Sequence, residues 1–399
     1  MKNKAIKKKK EAKANKPILL SEPHLAGNEW LYIKECLDTN WVSSAGKYVT
    51  KFEKKVAKYI GRKHAVACVN GTAALHLALV IARIQPNDEV VVPALTFVAP
   101  ANAIRYVGAW PVFMDVEASS WQMDPMKLKE FFEKECDFRQ GRLINKKTQR
   151  VIKAIIPVHI LGHPVDMDPI LQLARRYNLI VIEDAAEALG ARYKKKRVGS
   201  FGHIGCFSFN GNKIITTGGG GMIVTDNVQW ANRARFLTTQ AKDDPIENIH
   251  SEIGFNYRLT NIQAAMGVAQ MEKLNPYIKI KRQITTFYDE ALKTIPGLSR
   301  PQEAPWARSI MWLYTIVVNP KTYGATSRQL LKEFQRQGIQ TRPLWHPLYS
   351  LKPFQRCTAY QIEVVDDLYR KALSLPSSVG ITKTNMNRII SILKQFPKK

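Results

Sequence analysis

The chain has 399 residues, of which 45% are hydrophobic and 23% charged, as expected for a soluble globular protein with room for two or three domains. No uninterrupted apolar run is long enough to span a bilayer, and the lysine-rich N-terminus lacks the apolar segment of a secretory signal. The five cysteines are scattered without CxxC spacing, which predicts reduced thiols and a cytoplasmic location rather than a disulfide framework. The histidines and cysteines show no metal-ligand spacing, so we expect no metal site.

The net charge of +27 is the unusual feature of the composition. Part of this charge lies in residues 1–17, a lysine-rich tail that we expect to be disordered. A basic surface attracts polyanions in general, including nucleic acid, anionic membranes and doubly charged nucleotide sugars. We favour a basic surface without a specific nucleic-acid partner, and a nucleic-acid-binding or regulatory protein is the alternative from a different class.

From about residue 62 onward, short β-rich runs alternate with segments that can be helical. Most of these runs are continuously apolar, which is typical of strands covered by helices on both faces. The predicted strands are Ala65–Asn70, Glu89–Pro93, Val112–Val116, Lys153–His159, Leu179–Asp184, Gly205–Phe209 and Gly220–Thr225. The alternation therefore predicts an α/β fold with a mostly parallel, seven-stranded central sheet.

The pattern changes after about residue 227. Two long helices are predicted at Asn261–Leu274 and Asn275–Thr294, followed by a smaller α+β segment with a strand at Trp312–Val318. We therefore place the large domain, with its N-terminal arm, at 18–275 and the small C-terminal domain at 276–399. The polar segment Lys134–Arg150 is predicted to be an inserted surface loop.

A candidate phosphate site follows the first strand, where Asn70 and Gly71 precede a predicted helix. Gly71 allows a close turn, and the backbone N–H groups of Thr72 and Ala73 would lie unpaired at the helix N-terminus. Unpaired donors and the helix dipole together favour an anion. A Gly-Thr pair in this position is also a common helix cap, so the signal is weak by itself.

An acidic pair ends the fifth strand. Asp184 lies at the carboxyl end of a buried strand, which is where open α/β sheets place their ligands. The alternative for Asp184 is a helix cap. Glu183 points to the other face of the sheet by strand alternation, and we give it a structural role.

Lys213 is the strongest single candidate for a catalytic residue. It follows the buried strand that ends at Ser208 and precedes a run of glycines that allows close backbone approach. A lysine and an aspartate at the ends of two buried strands suit pyridoxal phosphate, which needs an amine for a Schiff base and a carboxylate for its pyridine nitrogen. The Ser208 hydroxyl could donate to the phosphate, and the ring of Phe97 could stack on the pyridine.

Four motifs in this order give the chain a family resemblance. They are Gly71-Thr72-Ala73-Ala74-Leu75, Glu183-Asp184-Ala185-Ala186, Ser208-Phe209-x-x-x-Lys213 and Asn256-x-Arg258. The chain resembles the DegT/DnrJ/EryC1/StrS sugar aminotransferases over nearly everything from about residue 18 onward. The resemblance implies pyridoxal-phosphate-dependent transferase fold type I, the aspartate aminotransferase fold, with a large domain and a smaller C-terminal α+β domain.

The resemblance also implies roles for individual residues. Lys213 would form the Schiff base and move the proton, and Asp184 would pair with the pyridine nitrogen. Phe97 would cover the ring, while Thr72, Ala73 and Ser208 would hold the phosphate. Asn256 would reach the phosphate of the neighbouring subunit's cofactor, which implies a homodimer with shared active sites. Glu187 stands where the family often has glutamine or histidine facing the cofactor 3′-oxygen.

The reaction implied by the resemblance is amino transfer from glutamate to a nucleotide-linked keto sugar. A branch of the family replaces the lysine with histidine and performs dehydration or deoxygenation, whereas Lys213 favours transamination. The stretches around Trp30 and Trp41 resemble enzymes that aminate C4 of 4-keto-6-deoxy sugars.

The identity of the sugar rests on finer details of the sequence. The insertion before Val151 and the residues 211–218 resemble enzymes of the legionaminic acid and bacillosamine pathways, whose substrate is UDP-2-acetamido-2,6-dideoxy-4-hexulose. A GDP-linked sugar giving perosamine, a 3-keto sugar and a lyase reaction are the alternatives within the same cofactor chemistry. Further candidates for sugar contact are His159, Arg342 and His346; a core histidine and a surface arginine are the alternatives for the first two.

Overall fold

A computed structural model describes residues 16–244 and 246–397 of the chain, so nearly all of the predicted basic tail, residues 1–17, lies outside the described residues. None of the described helices is long and apolar enough to cross a membrane. The α-helices, in chain order, are α1 (Glu29–Asp38), α2 (Lys47–Ile60), α3 (Gly71–Ile81), α4 (Ala99–Tyr106), α5 (Pro125–Glu135), α6 (Met167–Arg176), α7 (Val228–Thr238), α8 (Asn261–Leu292), α9 (Pro320–Tyr323), α10 (Ser327–Arg336), α11 (Val364–Lys371) and α12 (Lys383–Gln395).

The strands fall into one large sheet and several small ones. The strands of the large sheet are β1 (His64–Cys68), β2 (Glu89–Pro93), β3 (Trp110–Met114), β4 (Cys136–Arg139), β5 (Arg142–Asn145), β6 (Val151–Ile155), β7 (Ile180–Asp184), β10 (Ile204–Ser208), β11 (Gly221–Thr225) and β18 (Thr358–Tyr360). The shorter strands elsewhere are β8 (Arg192–Tyr193), β9 (Lys196–Arg197), β12 (Lys242–Asp244), β13 (Ile249–His250), β14 (Leu298–Ser299), β15 (Ala307–Arg308), β16 (Tyr314–Val318), β17 (Arg342–Pro343) and β19 (Ala372–Leu375).

The large sheet confirms the predicted α/β fold, but among the described residues it has ten strands instead of the predicted seven, because the hairpin β4–β5 and the short strand β18 add to it. Its strands follow the order β1-β11-β10-β7-β6-β2-β3-β18. The pairs β10–β7, β7–β6, β6–β2, β2–β3 and β3–β18 are parallel, while β11 is antiparallel to both of its neighbours. Strands β1, β2, β7 and β10 therefore run in one direction, and their carboxyl ends lie at the same edge of the sheet. This edge is the place where an open α/β sheet binds ligands.

The segment predicted to be a surface loop before Val151 is instead a β-hairpin. Strands β4 and β5 pair with each other, and β5 continues antiparallel onto β6 through Leu143 and Ile152. Both residues are buried in the apolar cluster on this side of the sheet. The hairpin forms because these few apolar side chains can be buried, although most of the segment is polar.

The C-terminal part has a sheet and an apolar core of its own. Strands β14, β16, β19 and β17 form this sheet, and Ile316, Leu373 and Ile389 belong to its buried cluster. The two predicted helices at its start are in fact one continuous helix, α8, with Pro276 inside it. The predicted domain boundary at 275/276 thus falls within a helix, where Pro276 removes one backbone donor without ending the helix.

Candidate active site

A cavity of about 280 Å³ lies at the carboxyl edge of the large sheet. Many of the predicted site residues line it, although they come from distant parts of the sequence. They are Thr72, Phe97, Asp184, Glu187, Ser208, Lys213 and Arg342. The convergence follows from topology, since β1, β2, β7 and β10 all end at this edge.

The start of α3 forms a closely packed corner of the cavity. The Asn70 side chain caps the helix by accepting from the N–H of Ala73 at 2.7 Å. This corrects the expectation that the Ala73 N–H is free, and it leaves Gly71 and Thr72 at the positions where helices lack internal partners for their N–H groups. A Cβ at Gly71 would lie 2.9 Å from Cβ of Ser208, so only glycine allows this approach.

Asp184 is buried at the end of β7, with 4% of its surface exposed. One oxygen accepts from the N–H of Ala186 at 3.0 Å, while the carboxylate also faces the cavity. Burial, with a smaller contribution from Glu187, raises the pKa of Asp184 to about 6. A buried carboxylate with so little compensation is suited to receive a cationic partner.

Glu183 faces away from the cavity and holds the chain after β9, which confirms the structural role predicted for it. It accepts from the N–H groups of Gly199, Phe201 and Gly202, each at 2.7 Å. His159, predicted to contact the sugar, lies 3.1 Å from Glu183 and is fully buried. Its other ring nitrogen accepts from the N–H of Val165 at 3.0 Å. Both ring nitrogens are thus bonded within the protein, which corrects the expected sugar contact to a position in the core.

Lys213 points into the cavity and meets Glu187 there. Its Nζ lies 3.4 Å from Oε1 of Glu187, and the other carboxylate oxygen accepts from the N–H of Leu161 at 2.9 Å. Burial raises the pKa of Glu187, and the Lys213 ammonium opposes this shift. A carboxyl group with a raised pKa can share a proton with a neighbouring oxygen or amine. This ability to share a proton is what a carboxyl group would need beside the cofactor 3′-oxygen, the position that the resemblance implies for Glu187.

The remaining predicted residues lie farther out. Phe97 lines the cavity with 54% of its surface exposed, which leaves a ring face free for a planar ligand. Arg342 lines the cavity on β17, whereas His346 is exposed and contacts Ser350 and the ring of Tyr369 outside it. His346 is thus not among the lining residues, which corrects that expectation. Asn256 is exposed and also lies outside the lining of this cavity.

The lining also includes residues to which the sequence analysis gave no role, among them Trp312 and Asn212. Trp312 and Trp345 form part of the wall, and Asn212 precedes Lys213 along it. Trp312 is the first residue of the predicted apolar strand Trp312–Val318 and so has the local pattern of a core residue. The side-chain oxygen of Asn212 is buried without a hydrogen-bond partner in the described part of the chain. A buried polar atom of this kind is suited to accept from a ligand.

The side chains in the cavity match the chemical groups of pyridoxal phosphate. The closely packed start of α3 and Ser208 suit a phosphate, and the exposed ring of Phe97 suits a pyridine face. The under-compensated carboxylate of Asp184 suits a protonated ring nitrogen, and the amine of Lys213 suits the aldehyde carbon. The residues present therefore fit this cofactor.

Comparison with known proteins agrees with this geometry. The model of the DegT/DnrJ/EryC1/StrS aminotransferase family matches residues 23–394. The chain is 41% identical to GDP-perosamine synthase of Caulobacter vibrioides, covering 95% of this chain and 98% of that protein, and 37% identical to GDP-perosamine synthase of Escherichia coli O157:H7, covering 96% and 99%.

A solved structure of DesI in the presence of its TDP-sugar product superposes with a TM-score of 0.85 at 26% identity, covering 95% of this chain and 93% of that one. The family model spans almost the whole chain, and the residues expected of the family converge on one cavity. The chain therefore belongs to the DegT/DnrJ/EryC1/StrS aminotransferase family and is a pyridoxal phosphate-dependent sugar aminotransferase.

Proposed function

We propose that this enzyme transfers the amino group of L-glutamate to C4 of a nucleotide-linked 4-keto-6-deoxy sugar, for a surface-glycan amino sugar made in the cytoplasm. The observation that carries the proposal is the meeting of Lys213, Asp184 and Ser208 in one cavity. When bound, the cofactor supplies an aldehyde that bonds amines and a ring that accepts the electrons of a broken C–H bond.

The chain's own side chains supply binding, orientation and proton transfer. Ser208 and the N-terminus of α3 would bind the phosphate, and Phe97 would orient the ring. Asp184 would hold a proton on the pyridine nitrogen, because its buried carboxylate, whose pKa burial raises to about 6, would gain a cationic partner there. Nζ of Lys213 takes the proton from the α-carbon of glutamate and later delivers a proton on the sugar side, which is general acid–base catalysis.

Arg342 is the candidate for the nucleotide diphosphate. It is partly exposed at the rim of the cavity, and its guanidinium group can make paired hydrogen bonds to phosphate oxygens. Trp345 beside it offers a ring face. Together these residues support a substrate with a charged diphosphate, which distinguishes a nucleotide sugar from a free sugar.

The GDP-linked sugar is the substrate we favour, because two relatives that match over almost their whole length are named GDP-perosamine synthases. On this proposal the substrate is GDP-4-keto-6-deoxymannose and the product is GDP-perosamine. UDP-2-acetamido-2,6-dideoxy-4-hexulose, expected from the resemblance to legionaminic acid and bacillosamine enzymes, is the second candidate. The observed hairpin β4–β5 is the inserted segment on which that resemblance partly rested.

The substrate is tested by loading the enzyme with pyridoxal phosphate and glutamate and then adding one keto sugar at a time. We expect GDP-4-keto-6-deoxymannose to restore the visible band of the cofactor with a kcat/KM about 100-fold or more above that of the UDP-linked sugar. The reverse preference would establish the UDP-linked substrate instead. The proposal would be overturned if a 3-keto sugar restored the band and both 4-keto sugars failed to restore it.

We further propose that the active unit is a homodimer in which Asn256 of each subunit completes the other subunit's phosphate site. Asn256 is exposed, and the nearby residues Ile246 and Ile253 are 84% and 89% exposed. On α1 and the loop after it, Trp30 is 74% exposed and Trp41 is 58% exposed. Apolar side chains this exposed are typical of an interaction surface when they cluster on one part of the chain.

Complementation between two inactive variants tests the shared site. Neither Lys213→Ala nor Asn256→Ala should turn over alone, because each homodimer lacks one required group in both sites. Refolding a mixture should produce heterodimers with one intact site, restoring about a quarter of wild-type activity. Mixing the two variants without subunit exchange is the control. Full activity of Asn256→Ala alone, or no recovery in exchanged dimers, would contradict the shared site.

A further inference from the structure

Trp312 touches the amine of Lys213. The ring centre of Trp312 lies 4.1 Å from Nζ of Lys213, and Oε1 of Glu187 lies 3.4 Å from the same nitrogen. Trp312 itself is 3% exposed, so its ring is fixed by the surrounding core. The ammonium thus contacts both a carboxylate and an aromatic face, and the Lys213 side chain is only 13% exposed, a setting in which a cation–π contact is stronger than at an exposed site.

The same indole also fixes the main chain beside Lys213. Its N–H donates to the carbonyl oxygen of Asn212 at 2.8 Å. The hydroxyl of Ser21, from the N-terminal arm, donates to that oxygen at 2.9 Å. The peptide group that precedes Lys213 is therefore held by two donors from segments about 190 and 100 residues away in the sequence.

Trp312 is fixed in turn by a buried lysine. Nζ of Lys281, on α8, donates to the carbonyl oxygen of Trp312 at 2.8 Å, and also to the carbonyl and hydroxyl oxygens of Ser377. Lys281 is 4% exposed, and burial lowers its pKa to about 7. The backbone N–H of Trp312 donates to the carbonyl oxygen of Leu161 at 3.0 Å. The backbone N–H of Leu161 donates in turn to the carboxylate of Glu187. Trp312 and Glu187, the two partners of the Lys213 amine, are thus both hydrogen-bonded to Leu161.

We propose that Trp312 is a positioning residue for Lys213. Its ring holds the free amine beside Glu187, and its indole N–H holds the peptide group that precedes Lys213. Lys281 in turn holds the main chain of Trp312. The inference rests on the role proposed above for Lys213 as the lysine that bonds the cofactor. During each half-reaction the Lys213 amine leaves the cofactor yet must stay aligned for proton transfer. A flexible four-carbon side chain needs a fixed partner for this, since a displacement of about 1 Å can slow catalysis about 100-fold.

The test compares Trp312→Phe and Trp312→Leu with Trp345→Leu, a tryptophan that lines the same cavity. Each protein is loaded with pyridoxamine phosphate, so that Lys213 is not bonded to the cofactor, and the labelling rate of Lys213 by an amine reagent is followed by mass spectrometry. We expect Trp312→Leu to raise that rate about tenfold and Trp312→Phe to raise it less, because phenylalanine keeps a weaker ring face. Trp345→Leu should leave it near the wild-type rate.

A second readout is the half-reaction with glutamate carrying deuterium at its α-carbon. Trp312→Leu should lower the rate constant about 10- to 100-fold with little change in KM and should enlarge the isotope effect, because proton transfer becomes slower than the other steps. Lys281→Met should shift both readouts in the same direction, although Lys281 is not among the residues that line the cavity. If Lys281→Met does not fold, Trp312→Phe still provides the graded comparison.

Two outcomes would overturn the proposal. Equal labelling in Trp312→Leu and Trp345→Leu would mean that a wider cavity, rather than lost positioning, exposes Lys213. Wild-type labelling and an unchanged isotope effect in Trp312→Leu would mean that the ring does not position the amine. Failure of the underlying Lys213 assignment is recognised separately, because Lys213→Ala would then keep the visible band of the cofactor.

Discussion

We expect Lys213→Ala to abolish the visible absorption band of the bound cofactor and to lower turnover by at least about 1,000-fold. The band is lost because alanine offers no amine to the cofactor aldehyde, and turnover is lost because the same amine carries the proton. Folding should be retained, since Glu187, whose pKa burial already raises, can take up a proton when the neighbouring ammonium is removed. The measurements are the absorption spectrum and the rate of glutamate-dependent conversion.

Controls separate the loss of Lys213 from a general loss of structure. Lys195→Ala removes an exposed lysine and should keep both the band and turnover. Borohydride reduction of the wild-type enzyme should attach the cofactor to the peptide that contains Lys213, and mass spectrometry reads this directly. A persistent band in Lys213→Ala, or attachment at another lysine, would show that a different residue bonds the cofactor.

The structure brings together in one cavity the candidate residues that the sequence places at or just after strand ends. Asp184 and Ser208 end buried strands, and Gly71 and Phe97 follow two others. These residues lie close together because strands that run in the same direction place their carboxyl ends at one edge of the sheet. Lys213 was found because a lysine between a buried strand and a glycine run is unusual in a loop that only faces solvent.

The residues that sequence patterns missed depend on contacts between distant segments. Trp312 resembles a core residue locally, and its contact with Lys213 spans about 100 positions. Lys281 lies within a long helix, where a lysine is normally assigned to the solvent-exposed face, yet its neighbours bury it. His159 was assigned to the sugar because it ends a predicted strand, whereas Glu183 and Val165 bind both of its ring nitrogens. Such pairings are set by tertiary packing and leave no local signal.

We expect Asp184→Asn to lower the half-reaction rate about 100- to 1,000-fold and to stabilise the cofactor-free protein at pH 7. The rate falls because a neutral amide cannot stabilise a positive charge on the pyridine nitrogen. Stability rises because burial lifts the pKa of Asp184 to about 6 in the folded protein, above its value of about 4 when unfolded. The folded state then binds the proton more tightly, so the free energy of unfolding decreases as pH rises from about 4 to 6.

Above pH 6 the buried Asp184 is ionised, and the full cost of its ionisation lowers the free energy of unfolding by up to about 3 kcal/mol. Asparagine does not ionise and so removes this cost. Denaturant unfolding of the cofactor-free proteins at pH 4.0 to 7.5, approximate limits chosen to span the titration, should show the two curves diverging as pH rises. Pyridoxal phosphate should raise the melting temperature of the wild type more than that of Asp184→Asn, because only the carboxylate gains an ionic partner. Equal shifts would contradict a pairing between Asp184 and the ring nitrogen.

Asp115 provides a matched control of opposite sign, since it is also a buried aspartate. Although burial alone would raise the pKa of Asp115, Lys127 at 2.8 Å and the backbone N–H groups of Glu363 and Val364 hold the pKa below its usual range. Asp115→Asn should therefore destabilise the protein by about 2–3 kcal/mol at pH 7, because it removes the carboxylate partner of the partly buried Lys127 and leaves a weaker acceptor for the backbone N–H groups. Opposite effects of the two substitutions on stability would show that Asp115 has its hydrogen-bond partners within the protein. They would also show that Asp184 lacks such partners until the cofactor binds.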